Sequence, residues 1–145
     1  MSAISRGKCA CGKVEFQYEG QAINAVFCYC SECQLHTGSD KFFGVRVAND
    51  KFKLTKGSPE KYTRIGDSHK NVNYCFCKHC GTNLFSEVTF ADIVSTSAST
   101  LINNDELKPN MVIYTSSAPS WAVFPKGVPR FDKNPPIEAL QGWKN

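Results

Sequence analysis

The chain has 145 residues, of which 41% are apolar, with 17 basic and 13 acidic side chains for a net charge of +4. That is enough chain for one domain with a core of its own, and the composition excludes a disordered or fibrous protein. No run approaches the roughly 18 apolar residues of a membrane span, and Met1-Ser2-Ala3-Ile4-Ser5-Arg6-Gly7 lacks the apolar stretch of a signal peptide, so a cytoplasmic protein without a membrane partner is expected.

In chain order the reading is mainly β, one domain over 1–145. Gly7 to Gly12 is a turn carrying Cys9-x-Cys11, and Lys13 to Glu19 alternates polar with apolar residues, the period of a half-buried strand. Ile23 to Phe27 is a short apolar strand that delivers Cys28 to its end. Ser31 to Leu35 closes one helical turn with Ser31 as its cap. Lys41 to Val47 and Lys51 to Thr55 form an expected hairpin through Ala48-Asn49-Asp50. Glu60 to Ile65, Asn71 to Cys77, Leu84 to Phe90, Ile93 to Ala98 and Met111 to Thr115 read as further strands, with a helical turn between Thr100 and Leu107. From Pro119 the chain carries five of its seven prolines and becomes an irregular arm over about 119–145, with Trp121, Phe124, Phe131 and Trp143 as anchors. Short strands separated by turns at this spacing indicate folded, packed sheets rather than an α/β architecture.

The positive charge is concentrated. Residues 51–80 hold seven basic side chains against two acidic ones, while the flanking segments are balanced or slightly acidic. Lysines guarding a solvated strand edge account for this, as does an anion-binding surface. A nucleic-acid partner is the weaker member of the second class, since no helix has a basic stripe and no aromatic stacking motif is present.

Eight cysteines in a reducing compartment point to metal or thiol chemistry, because stable disulfides are rare there. Cys28-Tyr29-Cys30-Ser31-Glu32-Cys33 and Cys75-Phe76-Cys77-Lys78-His79-Cys80 share the pattern Cys-aromatic-Cys-x-x-Cys. Such spacing folds sulfurs together at a turn, which suits zinc, a tetrahedral ion at about 2.3 Å from each thiolate. The eight thiols allow two sites of four, or one closed site of four, one open site of three and a spare thiol. A knuckle of the form Cys-x-x-Cys-Gly is a common structural zinc element, so Cys77 and Cys80 are assigned with Cys9 and Cys11. Cys28, Cys30 and Cys33 then form the open site, with a position left for water or substrate. Cys75 is either a spare ligand or a small buried hydrophobe.

Gly7-x-Cys9-x-Cys11-Gly12, then Cys28-x-Cys30-x-x-Cys33 with Thr37-Gly38-Ser39, then Phe76-Cys77-x-x-Cys80-Gly81-Thr82, together resemble the glutathione-dependent formaldehyde-activating enzyme family, which also contains centromere protein V. The likeness runs from Gly7 to about Phe131. It implies a mostly β fold of the β-tent type, a structural zinc on Cys9, Cys11, Cys77 and Cys80, and a second zinc on Cys28, Cys30 and Cys33 whose fourth ligand comes from outside. It also implies a carbon–sulfur lyase reaction run in the synthetic direction, forming S-hydroxymethylglutathione from formaldehyde and glutathione.

This chain departs from relatives in Val112-Ile113-Tyr114, where many carry a His before the Tyr, and in His36, where they often have Lys or Arg. His36, three residues beyond Cys33, is a candidate proton carrier or substrate contact, or else a plain surface side chain. Ser39, Phe43 and Trp121 are candidates to line the substrate pocket, although Phe43 and Trp121 also fit a core. His79, inside the knuckle, should point to solvent, and His69 sits in a polar loop. Two function classes follow: a zinc enzyme acting on the adduct of a small thiol and an aldehyde, or a non-catalytic zinc-stapled module binding a partner through residues 51–80. A homo-oligomer is compatible with either.

Overall fold

The structure is a computed structural model that describes residues 3–136, and it is mainly β, with ten strands and one α-helix among those residues. In order they are β1 (Ile4–Lys8), β2 (Glu15–Glu19), β3 (Asn24–Cys28), α1 (Ser31–Thr37), β4 (Phe42–Ala48), β5 (Phe52–Lys56), β6 (Glu60–Ile65), β7 (Asn71–Phe76), β8 (Asn83–Val88), β9 (Ile93–Ser97) and β10 (Met111–Ile113). They make a three-stranded sheet, β1-β2-β5, and a seven-stranded sheet, β10-β3-β4-β9-β8-β7-β6. Neighbours are antiparallel except β10, which runs parallel to β3.

Alternation decides what lies between the sheets, because successive strand side chains point to opposite faces. Phe16 and Tyr18 of β2 meet Ala25, Val45, Val47, Phe85 and Val94 of the larger sheet in one core. Three rings are its centre: Phe52 lies 5.4 Å from Phe16 and 4.6 Å from Phe85, tilted in both cases, arrangements each worth about 0.5–1.5 kcal/mol beyond the area they bury. The opposite face of the seven-stranded sheet is also covered. Val26 and Cys28 pack there with Met111, Ile113 and the partly buried Phe131.

Several expectations are corrected. Lys41 to Val47 and Lys51 to Thr55 do not pair as a hairpin: β4 joins β3 and β9, whereas β5 joins β2. A single 3-10 turn, Asn49–Lys51, redirects the chain between sheets, its Asn49 N–H held by the Asp92 carbonyl at 3.0 Å, and Phe52 leaves it towards the inter-sheet core. The segment before Cys9 is a strand, β1, rather than only a turn. The helix cap is Cys30, not Ser31: its sulfur accepts the Cys33 N–H at 3.2 Å, and the helix continues to Thr37. Helical turns form at Ala98–Thr100 and, through the Leu107 N–H to Asn104 carbonyl bond of 3.1 Å, near Leu107.

After Pro119 the described residues, up to Pro136, form no strand or helix, and two of the expected anchors contact the body. Phe131 exchanges backbone bonds of 2.9 and 3.1 Å with Val112 and Thr115, and Phe124 sits edge-on to Tyr29 at 5.1 Å. Trp121 is not an anchor, being 68% exposed; beside it the Ala122 N–H bonds the Pro119 carbonyl at 3.0 Å, a turn local to that segment. Trp143 lies outside the described residues.

Candidate functional site

Two turns are pinned together to make the first cysteine cluster. After β1 the Gly12 N–H returns to the Cys9 carbonyl at 3.1 Å, and the Cys9 sulfur accepts the Val14 N–H at 3.3 Å. After β7 the Gly81 N–H returns to the Cys77 carbonyl at 2.7 Å, and Ala10 N–H reaches across to the Thr82 hydroxyl at 3.1 Å. The sulfurs of Cys9, Cys11, Cys77 and Cys80 consequently all lie within 4.8 Å of one another, with Cys9 to Cys11 at 3.6 Å and Cys11 to Cys77 at 3.7 Å. A tetrahedron with bonds of about 2.3 Å has edges of about 3.8 Å, so the four donors fit a zinc ion and leave no position free. The Thr82 hydroxyl, 3.2 Å from the Cys80 sulfur, helps draw that thiol down to about 5.

The second cluster is built from the end of one strand and the start of one helix. Cys28 is the last residue of β3, Cys30 caps α1, and Cys33 is in its first turn, all three sulfurs again within 4.8 Å. Between them Tyr29 is fully buried; its N–H bonds the Ile113 carbonyl at 3.1 Å and its carbonyl accepts Gln34 Nε2 at 2.9 Å. Hydrogen bonds from the Cys28 and Cys33 thiols hold the Cys30 thiol down to about 3; the bond with Cys30 pushes Cys28 up to about 12, and bonds with Cys28 and Cys30 push Cys33 up as well. Three sulfurs thus share one negative charge until a cation replaces the remaining protons. The all-thiolate donor set suits zinc, and three donors leave one position open.

That open side faces a cavity of about 80 Å³, lined by the triad together with Arg46, Arg64, Tyr74 and Tyr114. Strand register creates this lining. Asn24 of β3 stands opposite Arg46 of β4, Arg46 opposite Ser95 of β9, Ser95 opposite Ser86 of β8, Ser86 opposite Tyr74 of β7, and Tyr74 opposite Tyr62 of β6. One polar row therefore crosses six strands on the face away from the inter-sheet core, and from Asn24 to Tyr74 it is buried. Gly44 leaves the room, since a Cβ there would collide with the Ser95 hydroxyl and the Phe42 ring.

Hydrogen bonds fix the polar tips. Tyr74 Oη accepts Arg64 Nε at 2.8 Å, and the Tyr114 hydroxyl donates to Asp67 Oδ2 at 2.7 Å while accepting Asn134 Nδ2 at 3.1 Å. Burial is the largest cause raising the pKa of both tyrosines, which keeps them protonated. Burial lowers the pKa of Arg46, and the sulfurs of the triad oppose that shift. A guanidinium remains charged even so.

The residues expected to meet substrate fall elsewhere. His36 stacks on the outer side of Tyr74, ring centres 3.8 Å apart, and pairs with Glu32 at 3.5 Å. With Ser39 and Phe43 it lines a neighbouring, larger cavity of about 560 Å³ that also touches Thr82 of the knuckle. Trp121 lines neither cavity. Cys75 belongs to neither cluster: it is fully buried, pushed up to about 12 by that burial, with its thiol 4.0 Å from Glu87 Oε1. His69 and His79 are exposed. Sequence reading passed over Arg46, Arg64, Tyr74 and Tyr114. The available signal was Arg46 between Val45 and Val47, a charge in the middle of an apolar strand.

No curated protein matches the chain. Among solved structures, a Rhodobacter sphaeroides protein, structural genomics target RhR83, is similar with a TM-score of 0.55 at 16% identity, over 86% of this chain and 98% of that one, a likeness of fold. The family described as glutathione-dependent formaldehyde-activating enzyme matches residues 4–117, which include both cysteine clusters and every strand of the two sheets. The chain belongs to the glutathione-dependent formaldehyde-activating enzyme family.

Proposed function

We propose that the protein is a zinc enzyme of the carbon–sulfur lyase type, holding two zinc ions per chain and acting on the adduct of a thiol such as glutathione with an aldehyde such as formaldehyde. The observation that carries this reading is the contrast in donor number: three cysteine sulfurs face a lined cavity, where a fourth ligand can be substrate. Family membership supports it. Zinc in the triad would lower the pKa of a thiol at its open position and polarise a carbonyl.

The chain's own residues then move the protons. Tyr114 oxygen takes the proton of the thiol while its own proton passes along the 2.7 Å bond to Asp67, which is exposed and exchanges with water. The sulfur electron pair forms the bond to the carbonyl carbon, the C=O π pair moves to oxygen, and the Tyr74 hydroxyl, bonded to Arg64 at 2.8 Å, gives its proton to that oxygen and regains one from water in exchange for the one Asp67 passes out. One S–H is lost and one O–H is gained, with no change of oxidation state, and the reverse order cleaves the adduct. The partly and fully buried walls limit competing water.

The rival reading, a partner-binding module using residues 51–80, gains no support from side-chain placement. Lys51, Lys56 and Lys61 lie 3.9, 3.5 and 2.8 Å from Glu19, Glu15 and Glu87, so part of the positive field is neutralised within the chain. Cys30→Ser is the test. The variant should fold, hold one zinc instead of two, and add thiol to formaldehyde no faster than the uncatalysed reaction; wild-type activity in that variant would sink the proposal.

A further inference from the structure

Arg46 is 7% exposed, and among the described residues its Nε has no hydrogen-bond partner. Opposite it on β3, buried Asn24 leaves both its amide nitrogen and oxygen without partners as well. A buried cation lacking a counter-ion costs several kcal/mol, so an arginine kept in the middle of an apolar strand calls for an anion. None of the five ion pairs of the described residues involves Arg46. Its side chain lines the cavity of the cysteine triad, where the sulfurs and whatever enters can meet it.

Size narrows the occupant. A cavity of about 80 Å³ compares with the roughly 10–15 Å³ needed for the centre of one water, which leaves space for about five to eight atoms. A tripeptide thiol of about twenty non-hydrogen atoms cannot be enclosed there on the same measure. Its cysteinyl end can enter, but the carboxylates of such a tripeptide lie far from the sulfur along flexible chains. A short acid brings sulfur and carboxylate in together.

Resting on the thiol–aldehyde reading above, we propose that the small cavity beside the triad takes a compact carboxylic acid, with the thiol or aldehyde carbon next to the carboxyl group, and that Arg46 binds the carboxylate while the reacting atom faces Cys28, Cys30 and Cys33. A guanidinium presents a rigid fork that matches a carboxylate bidentately, which fixes the short molecule in one orientation. Ser95 and Ser86, beside Arg46 in the polar row, supply hydroxyls at the same floor of the cavity. Arg64, half-buried and already bonded to Tyr74, stays with the reacting oxygen.

The competing role for Arg46 is to balance the net negative charge of three thiolates on a divalent ion. Binding separates the two. The zinc-loaded protein is titrated by calorimetry with mercaptoacetate and with its neutral amide, mercaptoacetamide. The acid should bind at least about tenfold tighter, the lower end expected for a charge-assisted bond. In Arg46→Gln that preference should collapse to within about twofold, with the amide bound as in the wild type and two zinc ions retained. Arg46→Lys, which keeps the charge and loses the fork, should retain an intermediate preference and serves if the glutamine variant does not fold. If the carboxylate belongs to the aldehyde partner instead, glyoxylate shows the Arg46-dependent binding and mercaptoacetate does not, and the assignment of a compact acid stands.

Loss of zinc, or equal loss of both thiols in Arg46→Gln, would overturn the proposal in favour of charge balance, as would a wild type that shows neither a preference for mercaptoacetate over its amide nor Arg46-dependent binding of glyoxylate. Propionate, followed by saturation-transfer NMR, separates failure of this inference from failure of the reading beneath it. Arg46-dependent binding of propionate without binding of any thiol leaves the anion site standing and removes the thiol chemistry. Thiols binding without regard to charge does the opposite.

Discussion

The two cysteine clusters have almost the same sequence and opposite structural situations. Cys77 and Cys80 lie on a turn that meets a second turn, bearing Cys9 and Cys11, from a distant part of the sequence, so four donors close within 4.8 Å of one another, Cys9 to Cys11 at 3.6 Å and Cys11 to Cys77 at 3.7 Å. Cys28, Cys30 and Cys33 sit where β3 runs into α1, and among the described residues no fourth donor joins them; a cavity lies beside them. What separates a staple from a reactive centre here is the surroundings rather than the motif. Register decides those surroundings, since it sets Arg46, Ser95, Ser86 and Tyr74 in one row beneath the triad.

The largest effect should come from the closed cluster. It joins the end of β1 to the end of β7, segments 66 residues apart between Cys11 and Cys77, and structural zinc contributes apparent folding free energies of about 10–16 kcal/mol in small zinc domains. Cys77→Ser should therefore lose the cooperative thermal transition, while Cys30→Ser keeps it. Graded chelation of the wild type gives the same contrast without mutation: one zinc should leave with the circular dichroism spectrum intact, and the second only as the spectrum collapses. Simultaneous loss of both metals and of structure would erase the distinction between the clusters.

How far this difference could be read from sequence depends on whether its cause is local. Ligand spacing is local, so two like triads ending at Cys33 and Cys80 are legible in the sequence, but spacing alone does not say which of them joins Cys9 and Cys11; the knuckle ending in Gly81 is the cue that points to Cys77 and Cys80. Strand positions from Asn71 to Ser97 were legible for the same reason, through alternation. Partner choice is not local. The run from Lys41 to Thr55 reads as a hairpin until a 3-10 turn at Asn49–Lys51 sends its halves to different sheets. Arg46 falls on the face that alternation assigns to solvent, yet it is buried beside a cavity that Gly66, Asp67, Tyr114 and Asn134, distant in sequence, also line. Tyr74 and Arg64 reach the site through β6–β7 pairing, whereas His36, close to Cys33 in sequence, is carried by α1 to the far side of Tyr74.

A smaller effect tests the proposed division of labour inside the open site. Tyr74→Phe removes the hydroxyl that accepts Arg64 Nε and donates to the aldehyde oxygen, leaving the ring stacked on His36. Turnover should fall by about 100-fold, within the usual contribution of a positioned acid, with zinc content unchanged. Stability should fall by only about 1 kcal/mol, the net worth of one hydrogen bond. A fall in thiol affinity with unaltered turnover would place Tyr74 in binding instead and return the proton donor to the remaining hydroxyl, Tyr114.

The smallest effect belongs to the eighth thiol. Cys75 precedes the closed cluster's knuckle by two residues, and on β7 its side chain points into the inter-sheet core, packed opposite Phe85 and away from the sulfurs of Cys77 and Cys80. Burial pushes its pKa up to about 12, and among the described residues it belongs to no group of donors that could share a metal ion. Cys75→Ala should cost about 1 kcal/mol for the lost sulfur contacts and leave both zinc ions in place. Zinc stoichiometry by mass spectrometry under native conditions checks this directly. A drop from two to one in that variant would make Cys75 a ligand, close the second site in solution, and remove the asymmetry on which the proposed chemistry depends.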